Sequence, residues 1–211
     1  MNKCIFSDET FDGKPRKKQI KNGNGFHKKF YDNSLYRFYL FHEFNDKKLE
    51  TITVILMNPS FADETGLDGT LNNVKKLLSE KYSNIYSSFE VLNLFPIRSP
   101  ENSELKALLA QYDPENKNQG INNEIIKNYL NKSKNVILAW GSDYHNDSKW
   151  LYPLLKDKKL YIFFKLNKDN SPKHFSPRIF NDKNINDDEK ILKEIYIDEK
   201  SMALSLINRN N

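Results

Sequence analysis

Thr51-Ile52-Thr53-Val54-Ile55-Leu56-Met57 (TITVILM, residues 51–57), followed at once by Asn58-Pro59-Ser60, decides how this chain folds. The run is β-branched and aliphatic almost throughout. It lacks the polar alternation of a half-exposed strand, so it reads as a strand covered on both faces of a sheet. Pro59 has no N–H to give a ladder and ends it.

Outward from this strand the same pattern recurs. Leu35–Phe44 (LYRFYLFHEF) is an aromatic-rich strand set off by the turn NDKK. Phe89–Phe95 (FEVLNLF) is a buried strand stopped by Pro96, Asn135–Trp140 (NVILAW) one ended by Gly141, and Leu160–Leu166 (LYIFFKL) a fourth. Between them, Leu71, Val74, Leu77 and Leu78 recur at helical spacing in 71–82. Helices are also expected over 103–112, 121–130 and 149–155, with a proline-bounded loop at 171–180 and a closing helix at 189–197. Strands alternating with helices predict a three-layer α/β/α fold around a central, mostly parallel four-stranded sheet.

The chain has 211 residues, 38% of them hydrophobic, with 14 Phe and 11 Tyr, enough to bury one core. Residues 31–211 read as a single α/β domain behind a basic, partly flexible arm, residues 1–30. Within the arm, Lys14–Lys29 carries seven basic residues, Lys17 and Lys18 among them, and no acidic one. Such a run either touches nucleic acid or is simply solvated. The lone cysteine, Cys4, leaves no disulfide scaffold, cysteine-based zinc site or iron–sulfur cluster, and four scattered histidines form no metal set. No metal or cofactor is expected. No apolar run approaches the roughly 18–20 residues of a membrane span, and Ser7, Asp8 and Glu9 stand where a signal peptide needs its apolar core. A cytoplasmic monomer without a membrane partner is the expectation. Walker, HExxH, GxSxG and dinucleotide motifs are absent.

Ligands of open α/β sheets bind beyond the carboxyl ends of the strands, so polar residues there are the candidates. Asn58 is either a turn residue or a carboxamide that accepts a hydrogen bond from water and orients it. Asn93 must satisfy one acceptor and two donors if buried; it is either structural or a reader of a heterocycle edge. His174 is either solvated or placed to stabilise charge on a departing ring. Phe61 is core or a stacking face, and Asp63 and Asp68 are solvated or a general base.

Four short motifs occur in order: Met57-Asn58-Pro59, Asn93 followed by Phe95-Pro96-Ile97-Arg98-Ser99-Pro100, Val136–Trp140-Gly141, and His174-Phe175-Ser176-Pro177. Together they resemble the uracil-DNA glycosylase superfamily. The chain more closely resembles a bacterial and phage family of unknown function, number sixteen forty-three, through Tyr36-Arg37, MNPSFAD (57–63), Asp68-Gly69-Thr70, Asn93-Leu94-Phe95 and Ala139-Trp140-Gly141. The glycosylase resemblance implies a uracil-DNA glycosylase-like fold and a monofunctional DNA N-glycosylase, in repair or a phage-related role. It gives Asn58 the attacking water, His174 the departing base, and Asn93 and Phe61 the flipped base; Asp63 is expected as the general base from its nearness to Asn58 in sequence. Ser60, Ser176, Arg98, Arg178, Lys17 and Lys18 would meet DNA, and Arg178, Ile179 or Phe180 would fill the gap left by the extruded nucleotide. A non-catalytic nucleic-acid-binding module and a hydrolase of free nucleosides or nucleotides are the alternatives. Leu56 and Ser60 replace glycines of the first motif and Phe175 replaces a proline of the last, which implies a pocket shaped for a base other than plain uracil.

Overall fold

The computed structural model describes residues 2–6, 36–60, 62, 66–99, 104–183, 185, 186, 188–198 and 200–207. Its elements are β1 (Asn2–Phe6), β2 (Arg37–Glu43), β3 (Glu50–Leu56), α1 (Gly69–Lys81), β4 (Tyr86–Asn93), α2 (Leu105–Tyr112), α3 (Lys117–Leu130) and β5 (Asn135–Leu138). A 3-10 turn, Asn146–Leu151, then runs into α4 (Tyr152–Leu155), before β6 (Lys159–Phe163), α5 (Pro177–Phe180), β7 (Leu192–Asp198) and β8 (Ala203–Leu206). The strands form one mixed sheet in the order β1-β2-β4-β3-β5-β6-β7-β8. β3 is parallel to both β4 and β5, and β5 is parallel to β6.

The TITVILM strand lies at the centre because it is apolar on both sides. Ile52, Val54 and Leu56 pack with Leu71, Val74, Leu77 and Leu78 of α1. Ile55 and Met57 pack with Ile126 and Leu130 of α3 and with Leu151 and Leu155 near α4. Helices therefore cover both faces, and each aliphatic side chain so buried contributes about 1.5–3 kcal/mol relative to leaving it in water. Asp68 starts α1 by accepting a 2.9 Å bond from Leu71 N–H, a cap worth about 1 kcal/mol.

The sheet is larger than the four strands expected. Those four are its parallel centre, β4-β3-β5-β6, and antiparallel strands extend it on both sides: β1 and β2 at one edge, β7 and β8 at the other. The helix expected over 189–197 is instead strand β7. Glu189, Lys190, Lys193 and Glu194 resemble a solvated helix face, but Ile195 pairs with Leu160 and is buried, while Tyr196 faces out. The open edge of β6 captures a segment that carries the strand formers Ile195, Tyr196 and Ile197. Residues 2–6, read as part of the arm, pair with β2; the basic run at 14–29 lies outside the described residues. The end of the 171–180 loop winds into the single turn α5. Among the described residues no helix is long and apolar enough to cross a membrane.

From β3 the chain moves to one neighbour, β4, and then across to the other, β5. The order therefore reverses at β3 and β5, and such a switch point leaves a crevice at the carboxyl ends of the strands.

His42 of β2 makes the stability of this frame depend on pH. It lies against Phe89, ring centroids 5.2 Å apart, and burial, with Lys75 adding to it, lowers its pKa to about 4. Between pH 6.5 and 4 the unfolded chain binds the proton that folded His42 refuses, so stability is full above pH 6.5 and falls as pH drops to 4, by up to about 3 kcal/mol. Urea melts of wild type and His42→Phe should show a shallower acid loss in the variant; equal losses would sink this assignment. Gly141 follows the β5 segment with φ of 82°. Gly141→Ala should cost about 1–2 kcal/mol in the same melts, because an L-residue is strained in the left-handed region.

Candidate active site

The loops leaving β3 and β4 stay bonded to each other beyond their strands. Leu94 N–H donates to Leu56 O at 2.9 Å, Phe95 N–H to Met57 O at 2.9 Å, and Ser99 N–H to Pro59 O at 3.0 Å. Asn58 is held in this seam. Its Nδ2 donates to Ser99 O at 2.8 Å and to Pro59 O at 3.1 Å. Two carbonyls can only accept, so the NH2 end must face them. Oδ1 is turned the other way, and no described residue donates to it. A half-buried amide held in this way keeps a fixed polarity just past the end of β3.

Two arginines add side-chain bonds to residues just past Asn58. Arg37, at the start of β2 and 1% exposed, donates from Nη1 to Ala62 O at 2.7 Å, and its backbone N–H bonds Pro96 O at 2.9 Å. Arg98, offered by the sequence as a DNA contact, is 4% exposed and donates from Nε to Ser60 O at 3.1 Å. Ser60 is half-buried.

Asn93 ends β4 in register with Leu56 and is fully buried. Neither its Nδ2 nor its Oδ1 has a hydrogen-bond partner. By strand alternation its side chain shares the α1 face with Val91 and Leu56. An amide buried without partners costs about 1–3 kcal/mol, so its presence asks for an explanation. On the opposite face, Asn122 Nδ2 reaches the carbonyls of Asn93 and Leu94 at 2.9 and 3.2 Å, and Gln119 Nε2 reaches Leu94 O at 2.8 Å. Side chains of α3 thus finish the ladder that β4 leaves open.

His174 arrives from the far side of the switch point. Gly141 N–H donates to Pro172 O at 3.0 Å, and a methyl group on Gly141 would stand 3.8 Å from His174 Cβ. The residue as a whole is half-buried. Burial pushes its pKa below the usual 6.5, against an opposing pull from Asp68, so it is neutral at neutral pH. Asp68, a candidate base by sequence, is occupied in capping α1. Phe175, which replaces the proline of the resembled motif, stacks on Phe163 at 4.7 Å, and its carbonyl accepts from Asn73 Nδ2 at 3.0 Å. A side chain on Gly69 would meet Pro177 Cγ at 3.1 Å, so the start of α1 and the His174 loop are fitted to one another.

Asn58 and Asn93 therefore lie on neighbouring strand ends, with His174 beside the next strand end along the same rim. Ser176 precedes α5 and is half-buried; Arg178 of α5 is exposed. Phe180 is buried against Phe163, ring centroids 5.6 Å apart, which removes it as a filler for an extruded nucleotide. Phe61, Asp63, Lys17 and Lys18 lie outside the described residues. Sequence reasoning gave no role to Arg37, Asn122 or His145. Trp140 Nε1 donates to His145 Nδ1 at 3.4 Å, which leaves the His145 proton on Nε2. Burial lowers the His145 pKa, while Asp169 pulls against that shift. The five-residue step from Trp140 to His145 was the signal available for it. Among the described residues no group of three or more His, Cys, Asp or Glu side chains could hold a metal ion.

A family model described as "Protein of unknown function (DUF1643)" matches residues 37–175, from Arg37 through Asn58, Asn93 and Gly141 to His174 and Phe175. Neither a curated protein nor a solved structure matches the chain. Since the match takes in well over half of the residues, the chain belongs to the DUF1643 family.

Proposed function

We propose that this protein hydrolyses an N-glycosidic bond in DNA, releasing a deaminated or modified base that has been rotated out of the strand, on a uracil-DNA glycosylase-like arrangement of its parallel strands. The observation that carries the reading is the fixed polarity of Asn58: its NH2 is spent on Ser99 and Pro59 carbonyls and its oxygen remains an acceptor. Such an oxygen can hold a water without taking its proton, and that suffices when the leaving group departs first.

In this reaction the bond between C1′ and the base nitrogen breaks with its electron pair passing to the base. A neutral His174 N–H donates to the ring oxygen on which the negative charge develops. The water on Asn58 Oδ1 then bonds to C1′, and its surplus proton passes to a loop carboxylate, a step we assign to Asp63. Asn93 supplies one donor and one acceptor to the base edge, Phe61 stacks on its face, and Ser60, Ser176 and Arg178 meet the flanking phosphates. Extrusion is necessary because C1′ is out of reach in the stacked duplex, and it costs least at damaged or mispaired bases.

An abasic-site assay under enzyme excess tests this. Duplex and single-stranded DNA carrying uracil, and modified phage DNA, are incubated with the protein and then cleaved with alkali. Cleavage should fall about 100-fold or more in Asn58→Ala and about 100- to 1,000-fold in His174→Ala. Release at the wild-type rate in both variants would overturn the proposal. So would salt-sensitive DNA binding without cleavage of any substrate, which would favour a binding module. The histidine has its own test. Its Cε1–H resonance should titrate below pH 6.5, and base release should hold steady from pH 8 through 6.5 before changing in more acidic buffer. A midpoint at or above 6.5 would contradict a neutral donor in a desolvated position.

A further inference from the structure

Asn58 keeps its orientation only while the two carbonyls it binds stay in place, and neither belongs to a strand. Pro59 O lies in the turn after β3 and Ser99 O in the loop after β4. Past the ends of a ladder, buried carbonyls must find donors elsewhere. In this turn the donors come from two guanidinium groups of separate segments. Arg98 reaches Ser60 O at 3.1 Å and Arg37 reaches Ala62 O at 2.7 Å, on alternate residues directly downstream of Pro59. The same two segments are tied into the seam through their backbones. Arg37 N–H bonds Pro96 O, Ser99 N–H bonds Pro59 O, and Tyr36 forms an isolated bridge with Ile97. Three parts of the chain distant in sequence, residues 36–37, residues 58–60 with Ala62, and residues 96–99, thus meet at one knot, with Asn58 on its rim.

We infer that Arg37 and Arg98 are positioning residues that hold the carbonyls of Ser60 and Ala62, just past Pro59, and so set the direction in which Asn58 Oδ1 points. Arginine is well suited to this role, because its rigid fork carries several donors, stays charged at every working pH and reaches through a packed interior. Arg98 thereby acts inside the molecule rather than on a DNA backbone. The consequence for base release rests on the glycosylase role proposed for Asn58, whereas the clamp itself is a property of the fold.

The two are separated by experiment. In nitrogen-15 spectra the Asn58 side-chain NH2, assigned by its loss in Asn58→Ala, should give two distinct, slowly exchanging protons. In Arg37→Met and Arg98→Met, which keep an apolar stem and remove the donors, the pair should converge towards free-asparagine shifts and exchange at least tenfold faster. Arg37→Lys and Arg98→Lys, with one donor group restored, should lie between these and wild type. The backbone amides of Val54 and Val91 should keep wild-type protection, showing that β3 and β4 are intact. An Asn58 amide unchanged in both Met variants overturns the clamp. So does loss of Val54 and Val91 protection in the Lys variants, since the arginines would then hold the sheet rather than the turn. Where wild type releases base, the Met variants should lower kcat tenfold or more with KM within twofold of wild type. Unchanged kcat would overturn the catalytic consequence. Absence of base release from wild type would remove the glycosylase reading and leave the amide spectra to decide the clamp.

Discussion

Everything in this molecule is arranged around a single strand that is hydrogen-bonded on both edges and covered on both faces. β3 pairs with β4 from Glu50 to Leu56 and with β5 from Thr53 to Ile55, in parallel on each side. A parallel pair needs a long crossover, so the two neighbours of β3 require helices, and those helices supply the layers that bury it. The order reverses across β3 for the same reason. The crevice at its carboxyl end is a geometric result of β3 being the first parallel strand in sequence and central in space. Asn58 is the first polar residue after the apolar run of β3, so the fold brings it to the mouth of that crevice.

Much of this was written in local pattern. TITVILM, FEVLNLF and NVILAW each announce burial on two faces, LYIFFKL reads as a fourth strand, and all four are parallel strands in the structure. The leucines and valine of α1 keep helical spacing and are all buried. The outer strands were harder to read. β7 carries charges at 193 and 194 because it is half-buried beside β8, and only the unpaired edge of β6 tells it to be a strand. β1 is five residues whose partners run from Arg37 to His42, a pairing that no local window contains.

The rim was legible in part, for a similar reason. Asn58, Asn93 and His174 stand out because each is polar at the end of an apolar run or in a proline-bounded loop. What each one does there depends on contacts that sequence spacing does not encode. Arg98 looks like a surface cation and is buried under a turn 38 residues away. Arg37 opens an aromatic strand, where nothing local says that its side chain leaves for Ala62. Phe175 departs from the resembled motif and becomes a core ring, which accounts for the change through packing against Phe163 rather than through chemistry.

The orphaned amide of Asn93 ties stability to recognition. In the free protein its donor and acceptor are both withdrawn from water with nothing in exchange, a penalty of about 1–3 kcal/mol. A ligand bringing a complementary acceptor and donor would remove that penalty without first having to strip water from the site. On the proposed reading, a base with the matching edge gains from an amide that is already desolvated, while one lacking either group leaves it as costly as before. Discrimination then comes mainly from the partner that fails to pair, as in sites built around buried polar groups. The amide is covered in the free state, so such a base reaches it only when the cover shifts.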